Sequence, residues 1–357
     1  MADAGTRFDE WLTEHWQNVG FGALVLFGVS LALFFYILHG PGTGNTDEGG
    51  FDVPAATSTA VLPRMIDGVL VEESRTNLLP LGVIVENSAD AWPLAGISRA
   101  NLVFEAPVEG SITRLLAFYD ASSTVDRIGP VRSARPYFVE WTDGLDGLLA
   151  HVGGSPAAIA LINKLKSAGF RDLNEFFDAF FWRSNIRPMP HNTYTSTDLL
   201  VKGAAKRAYV AGTFRSFQYM DDVAAPATST EQTVFIPFEG MYKAEFRYNP
   251  DKRDYIRYQN GELQKDDDGE WIRMKNVVVI LTSARVLDRE GRLDLRTTGE
   301  GQALLFRNGG KQKAIWKRTT GNHIRFETVD GLDATFARGS TWIAVMTSQA
   351  AFNKVVK

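Results

Sequence analysis

The longest apolar run of the chain lies close to its start. It begins at Val19, ends at Leu38 and contains no charged side chain over 20 residues. A helix of about 20 apolar residues crosses the hydrocarbon core of a bilayer. The apolar part of a cleaved signal peptide is shorter, and it usually follows a basic start. The pattern therefore predicts a transmembrane helix over residues 19–38, which makes the membrane itself a partner.

The basic residues near this run predict its orientation. Arg7 precedes the run, and the next Lys or Arg is Arg64, well beyond it. Because basic residues beside a span stay on the cytoplasmic side, we expect residues 1–18 in the cytoplasm and the body outside it. Residues 39–61 are rich in Gly, Thr and Pro. They are predicted to form a flexible linker with an average span of about 25 Å.

Strand and helix patterns alternate over residues 62–220. A first helix is predicted after Ser155, because Ser caps a first turn and the following Pro156 fits its first position. A second helix is predicted to begin near Thr197. Alternating strands and helices indicate an α/β domain with a mixed sheet. Its predicted strands cover residues 81–85, 102–105, 114–119 and 148–152.

The pattern changes over residues 230–350, where strand follows strand with Asn-Gly and Asp-Gly turns between them. These turns indicate antiparallel pairing in a smaller β-rich domain, curled into a barrel or a sandwich. The whole chain is therefore predicted to be α+β, with a transmembrane helix, a linker, an α/β domain and a β-rich domain. The predicted strands cover residues 233–238, 242–248, 255–259, 271–282, 303–307, 315–319, 324–328 and 341–346.

Composition excludes several classes of chemistry. The chain has no cysteine, so disulfides, thiolate catalysis and Cys-ligated zinc are all excluded. A net charge of -4 provides no basic field, so nucleic acid is not expected as a partner. No metal centre is predicted, because His151 and His191 have no evident third ligand. No cofactor is predicted.

Polar side chains gather in four stretches of the α/β domain where a plain core would not need them. Two carboxylates flank a Pro, arginines surround a Gly-Pro turn, a Gly-Gly-Ser turn leads into a helix, and a Pro-rich loop holds a histidine. The candidate site residues are Glu105, Glu109, Arg114, Arg132, Arg135, His151, Ser155, His191, Asn192 and Tyr194.

Two interpretations of these residues suggest a function. Arginine forks bind carboxylate or phosphate, and a helix N-terminus favours an anion, which predicts an anion pocket. Its predicted ligand-binding residues are Arg114, Arg132, Arg135, Ser155, Asn192 and Tyr194. Paired carboxylates and histidines can also supply acid and base, so the catalytic candidates are Glu105, Glu109, His151 and His191.

Structural alternatives stand beside each of these interpretations. Ser155 is a good helix cap, His151 fits a hydrogen-bonded core position, and Glu105 fits an ion pair with a nearby arginine. The basic residues of the β-rich segment are predicted to be solvent-exposed, since charged side chains mostly are. They are Lys252, Arg253, Arg257, Lys311, Lys313, Lys317 and Arg318.

Five stretches resemble the YerB-type bacterial family, which has an α/β N-terminal part, a β-rich C-terminal part and no established activity. They are PLGVIVEN (80–87), FEAPVEGSITRLLAFY (104–119), IGPVRSARPYF (128–138), HVGGSP (151–156) and PHNTYTS (190–196). The resemblance implies a surface location, because members of that family are lipoproteins or anchored envelope proteins. This chain lacks a lipid-bearing cysteine, and the apolar run replaces it as the expected anchor.

Three hypotheses of function remain open at this point. In the first, the chain is an envelope module that binds an anionic wall polymer, a peptidoglycan fragment or an envelope protein at Arg132 and Arg135. In the second, it is a wall glycan hydrolase or transferase with Glu105 and Glu109 as acid and base. In the third, it is a scaffold that docks a membrane-bound enzyme through its β-rich domain.

Overall fold

The computed structural model describes residues 60–221 and 233–355. The predicted cytoplasmic tail and the predicted transmembrane helix, residues 1–38, lie outside these ranges, as does most of the predicted linker. Within the two described ranges, no helix is both long enough and apolar enough to span a bilayer.

The α-helices are short and few in the described ranges. They are α1 (Pro136–Gly144), α2 (Pro156–Lys166), α3 (Thr197–Lys206) and α4 (Gln349–Phe352). Single 3-10 turns cover Glu73–Arg75, Ala89–Ala91, Ile97–Arg99, Glu109–Ser111 and Gly240–Tyr242.

Strands make up most of the remaining regular structure. Those before residue 221 are β1 (Val61–Pro63), β2 (Leu70–Glu72), β3 (Leu81–Glu86), β4 (Leu102–Pro107), β5 (Thr113–Tyr119), β6 (Leu148–His151), β7 (Arg171–Asn174), β8 (Trp182–Arg183), β9 (Thr193–Tyr194) and β10 (Gln218–Tyr219). Those after residue 233 are β11 (Thr233–Ile236), β12 (Ala244–Asn249), β13 (Asp254–Gln259), β14 (Glu262–Leu263), β15 (Arg273–Met274), β16 (Asn276–Leu281), β17 (Ala284–Val286), β18 (Leu293–Leu295), β19 (Gly299–Arg307), β20 (Gly310–Arg318), β21 (Arg325–Thr328), β22 (Thr335–Phe336) and β23 (Thr341–Met346).

One mixed sheet of ten strands organises the fold, in the order β21-β20-β19-β16-β23-β4-β5-β3-β6-β7. Six of these strands, β16, β23, β4, β3, β6 and β7, run in the same direction. Their carboxyl ends therefore lie along one edge of the sheet, which we call the carboxyl edge. Ligands of α/β proteins commonly bind at such an edge.

The sheet crosses from the first half of the chain to the second between β4 and β23. These strands pair in parallel, with Leu102 opposite Thr341 and Glu105 opposite Ala344. The sequence pattern predicted a separate β-rich barrel or sandwich, but β16, β19, β20, β21 and β23 all join the large sheet. All six residues of β23 are buried, as expected for a central strand covered on both faces.

A second, antiparallel sheet of five strands, β11 to β15, covers one face of the large sheet, while α1 and α2 cover the other. Neighbouring side chains of a strand point to opposite faces. Val83 accordingly packs in a cluster with Phe246 of the small sheet, whereas Ile84 packs with Phe138 of α1 and Ile162 of α2. Both faces of the central strands are thereby buried, and polar side chains are left at the strand ends.

Candidate functional site

The segment 129–136, which has the sequence GPVRSARP, lies between the carboxyl ends of β3 and β6. The Arg132 backbone N–H donates to the Ile84 carbonyl at 2.8 Å, and the Val152 N–H donates to the Arg132 carbonyl at 3.0 Å. The backbone of this segment thus bridges the ends of β3 and β6, and the chain then continues into α1. This arrangement places the arginines of the motif at the carboxyl edge, next to residues from the ends of several strands.

Three of the predicted ligand-binding residues, Arg114, Arg132 and Arg135, meet there, and we call them the arginine cluster. Arg114 is buried, and its guanidinium donates to the Ser133 carbonyl at 2.9 Å. Within the described ranges, no carboxylate lies within 4.0 Å of it. Burial, together with the charges of Arg135 and Arg132, lowers the pKa of Arg114 to about 10. Its positive charge is therefore poorly compensated in this structure.

Arg135 lies at the start of α1 and pairs with one carboxylate. Its Nε donates to Glu109 Oε1 at 2.8 Å, and its Nη1 donates to the Ala134 carbonyl at 2.9 Å. It occupies the N-cap position without a side-chain cap bond, and Pro136 follows in the first turn. The positive end of the helix dipole thus adds to the arginine cluster.

Arg132 lies at the opening of the cluster and shares its carboxylate with a histidine. Its Nε is 3.4 Å from Glu86 Oε1 and makes no hydrogen bond, while its Nη1 donates to the Pro190 carbonyl at 3.2 Å. His191 Nδ1 lies 2.9 Å from Glu86 Oε2. Sequence reasoning missed Glu86, although a charged residue at the end of the buried run LGVIV was a usable signal.

Glu105 lies in a different environment, which we call the closed network: Glu105, Arg257, Asn87, Thr113 and Trp342. The Glu105 and Arg257 side chains are both 0% exposed, and Nη2 of Arg257 is 3.0 Å from each carboxylate oxygen. Thr113 Oγ1 and Asn87 donate to Oε1 at 2.7 and 3.2 Å, and the Trp342 indole donates to Oε2 at 3.0 Å. The Arg257 guanidinium also lies 4.7 Å from the Trp342 ring centre.

The two carboxylates of the glycosidase hypothesis therefore occupy unlike positions. Glu105 has all its contacts inside the protein and no exposed surface, whereas Glu109 is 21% exposed and binds Arg135. An acid–base pair needs both carboxyl groups at the substrate. The geometry favours the structural alternative for Glu105.

His151 and Ser155 also contact protein groups only. His151 is 0% exposed, with Nδ1 2.6 Å from the Gly153 carbonyl and Nε2 3.4 Å from Asp172 Oδ2. Burial raises the pKa of Asp172, but hydrogen bonds from His151 and Lys166 outweigh it and bring the pKa below its usual value. The Ser155 hydroxyl accepts the Ala158 N–H at 3.2 Å and caps α2. These positions suit structure rather than an open site.

Asn192 and Tyr194 stabilise the loop beside the cluster. The Asn192 side chain bonds to Arg183 and to the Ser184 carbonyl, each at 3.2 Å. The Tyr194 hydroxyl accepts from Arg187 at 2.9 Å. Both residues are buried, so they shape the loop that carries His191 and do not themselves line the opening.

The segments on either side of β8 expose several large apolar side chains. Their exposed fractions are 63% for Phe176, 82% for Phe177, 74% for Ile186 and 68% for Met189. Exposed apolar side chains that form one contiguous patch mark interaction surfaces.

Two basic residues predicted to be exposed, Arg257 and Arg318, are buried. The prediction was wrong because it ignored strand alternation, which places Arg257 on the same face as Tyr255 and Arg318 on the same face as Trp316. Both aromatic residues are core side chains, so period two already pointed these arginines inward. Among the described residues, no group of three or more His, Asp or Glu side chains is placed to hold a metal ion.

Comparisons with known proteins place this geometry in context. Residues 67–210 match the N-terminal domain, and residues 234–343 the C-terminal domain, of the family described as "Protein of unknown function (DUF3048)". The Bacillus subtilis (strain 168) protein named "Putative lipoprotein YerB" is 31% identical over 285 residues, which is 79% of this chain and 85% of that protein. The crystal structure of YerB from Bacillus subtilis superposes with a TM-score of 0.72 at 31% identity, covering 81% of this chain and 98% of that one.

Proposed function

The chain belongs to the DUF3048 family, as its motifs predicted, and from this premise we propose that it is a membrane-tethered module outside the cytoplasm that binds an anionic ligand of the cell envelope. The family is one of unknown function, so the proposal rests on the chemistry of the arginine cluster. The ligand we propose is an anionic wall polymer.

The environment of Arg114 is the observation that most supports an anionic ligand. A buried guanidinium bound to one backbone carbonyl, with two other guanidinium groups nearby, is electrostatically unfavourable. Guanidinium forks match the oxygens of phosphate and carboxylate groups. A bound anion would offset the repulsion among the three arginines, so the cluster favours an anionic ligand.

The balance of charge around the opening points the same way. Arg114, Arg132 and Arg135 supply three positive charges, while Glu86 and Glu109 supply two negative ones. One positive charge remains in excess even with neutral histidine, and the start of α1 adds a favourable dipole. A ligand with one or more negative groups would neutralise this excess positive charge.

A tether is supported by sequence and by the relative's name. The relative is named a lipoprotein, and this chain, which has no cysteine, carries the apolar run of residues 19–38 instead. Residues entering the described body lie at the far edge of the sheet, because Arg64 is 3.4 Å from Asp120, directly after the end of β5. Since β5 runs antiparallel to β3 and β4, that edge is opposite to the arginine cluster.

Binding to purified cell-wall material tests the ligand. Full-length protein is expected to co-sediment with the wall material, and Arg132→Ala should weaken this binding by about tenfold, as loss of a charged hydrogen-bonding partner does. Arg247→Ala is the matched control, since Arg247 is an exposed arginine paired with Glu245 on the small sheet. Equal binding by wild type, Arg132→Ala and Arg135→Ala would rule out the cluster as the site.

Protease treatment of intact cells tests the topology. Protease added outside should digest the body, because the proposal places residues 60–355 beyond the membrane. Protection of the body in intact cells, with digestion only after lysis, would contradict the tether as proposed.

A protein partner is the second candidate ligand, and the exposed apolar side chains on either side of β8 favour it. A photo-crosslinking residue at Phe177, which is 82% exposed, should trap one discrete envelope protein in cells. The adduct should disappear with Ile186→Ser. The control is the same crosslinker at Lys354, on the exposed end of the described chain. An identical pattern from both positions would contradict this candidate.

A further inference from the structure

We propose that a second groove, at the carboxyl end of β20, binds a linear polyanion independently of the arginine cluster. We call it the β20 groove and define it by Arg296, Thr298, Lys317, Arg318 and Thr320. No part of the argument for it depends on Arg132 or Arg135.

The β20 groove consists of two adjacent clefts. Two clefts of about 560 and 760 Å³ lie side by side and share Thr298, Arg318 and Thr320 in their walls. Each cleft is in the usual range for ligand sites, about 300–1,000 Å³. Because the clefts share a wall, one extended molecule can occupy both, whereas a small compact ion would contact only one.

The lining of the groove is predominantly basic. Its basic residues are Arg215, Arg285, Arg296, Lys317, Arg318 and Arg325, and its acidic residues are Glu140, Asp294 and Glu300. Most of these charges have an acidic neighbour: Arg285 pairs with Asp294 at 2.8 Å, Arg215 pairs with Asp333, Arg318 lies 3.9 Å from Glu140, and Lys317 and Arg325 share the single carboxylate of Glu327. The positive charges still exceed the negative ones, and several side chains face solvent. A negatively charged ligand is therefore favoured.

Arg296 is the exposed arginine with only neutral partners. Its guanidinium donates to the carbonyls of Thr298 at 3.2 Å and Glu300 at 2.9 Å, and it lies 4.9 Å from the Trp316 ring centre. Gly299 permits this position of the Arg296 side chain, because Gly299 has a φ of +94° and a Cβ there would lie 2.8 Å from Arg296 Nη1. The guanidinium is thus held in place above the groove before any ligand arrives.

Arg318 supplies a fixed positive charge beneath the groove. Its side chain is 1% exposed, its Nη1 donates to Thr297 Oγ1 at 3.2 Å, and its Nη2 donates to the Glu140 carbonyl. The nearest carboxylate contact is 3.9 Å, to Glu140, and its Nε has no partner within the protein. A charge held in a low-dielectric wall acts on a nearby anion more strongly than one in water.

The chemical class of ligand follows from these features together. Basic groups are distributed along the groove, and Ser283, Thr298, Thr319 and Thr320, whose hydroxyls can donate hydrogen bonds, also line it. Repeating negative groups on a flexible chain would meet several of them at once. Phosphate and carboxylate polymers share this chemistry.

Titration of full-length protein with defined polyanions tests the inference. The probes are linear polyphosphate, polyglutamate and orthophosphate, and binding is measured by calorimetry in the Arg132→Ala background. At least one polymer should bind, and orthophosphate should bind at least tenfold more weakly. The polymer that binds more tightly identifies phosphate or carboxylate as the preferred group. If neither polymer binds, or if orthophosphate binds equally well, the inference is overturned.

Matched variants assign the binding to the groove. Arg296→Gln combined with Lys317→Gln should weaken polymer binding by at least tenfold, and Gly299→Ala should weaken it without removing charge, because the added Cβ displaces Arg296. Lys313→Gln is the control, since Lys313 lies on the same strand four residues before Lys317 but outside the groove. Unchanged binding in the double variant would overturn the assignment. Polymer binding that requires Arg132 would also overturn it, while the proposed function would stand.

Discussion

The closed network and the arginine cluster use the same kinds of side chain with opposite results. In the closed network, Arg257 and Glu105 are both fully buried and neutralise each other, and every other contact of the carboxylate is also to the protein. In the arginine cluster, Arg114 is buried beside two like charges and binds one carbonyl. A buried charge with a partner is costly to unpair, whereas a buried charge without a partner is available to a ligand.

Their positions on the sheet differ as well. Glu105 lies opposite Ala344 in the β4–β23 pair, so the closed network ties the small sheet to the point where the halves of the chain join. In the arginine cluster, Arg132 and Arg135 lie just beyond the strand ends, on a loop and a helix start, and only Arg114 lies within the ladder, at the start of β5. Residues inside the ladder are held by it on both sides, while residues beyond it can face solvent.

The largest expected effect comes from breaking the closed network. Arg257→Ala leaves Glu105 buried and uncompensated, and it should lower the free energy of unfolding by about 3–5 kcal/mol. Urea denaturation of the full chain measures this. Arg273→Ala is the control, because Arg273 pairs with Asp254 at a partly exposed position, and it should cost less than about 1 kcal/mol. Equal losses for the two variants would show that the closed network is no stronger than a surface pair.

A smaller effect of opposite sign is expected at Arg114. Its folded-state pKa lies below its ordinary value, so the folded state disfavours the charged form at every pH below about 10. Arg114→Met should therefore raise the free energy of unfolding at pH 7 by about 1–2 kcal/mol while abolishing anion binding. Thermal unfolding and wall binding are measured on the same samples.

Arg64→Met serves as the matched control for Arg114. Burial lowers the pKa of Arg64, but the bonds and charges of Asp67 and Asp120 outweigh it, so this pKa is raised. Its removal should destabilise the fold. If Arg114→Met loses stability as Arg64→Met does, Arg114 is a structural residue.

The smallest effect on stability is expected at Glu109. Glu109→Gln removes a partly exposed partner of Arg135 and should cost about 0.5 kcal/mol. It also frees one positive charge of the cluster, so affinity for the anionic ligand should rise several-fold. The affinity is measured against the same wall material as for Arg132→Ala. A weaker affinity would indicate that Glu109 contacts the ligand or positions Arg135 for it.

Local signals in the sequence predicted much of the fold. The strand predicted at 341–346 coincides with β23, and the helix predicted from Ser155 and Pro156 begins there as α2. The helix α1 was missed, because PYFVEW has no polar cap and its apolar residues give no amphipathic stripe. The assignment of β23 to the centre of the large sheet depends on contacts with residues more than 200 positions away, which no local pattern encodes.

The site was predicted only in part, because some of its contacts join residues that are far apart in the sequence. Arg114, Arg132 and Arg135 were chosen for their chemistry, and the fold brings them together. Their sequence neighbours could not show that Glu105 would find its partner in Arg257, 152 residues away. Glu86 was overlooked because its run looked purely apolar, although its place at a strand end decides its role.

The position of β23 also sets the order of events when the chain is made. β4 and β16 both need this strand as a neighbour, and it is the last strand in the described ranges to be synthesised. Until residue 346 has emerged, neither half can close its sheet, and both present open strand edges. Such long-range pairing folds slowly. The large sheet can therefore close only after β23 has left the ribosome.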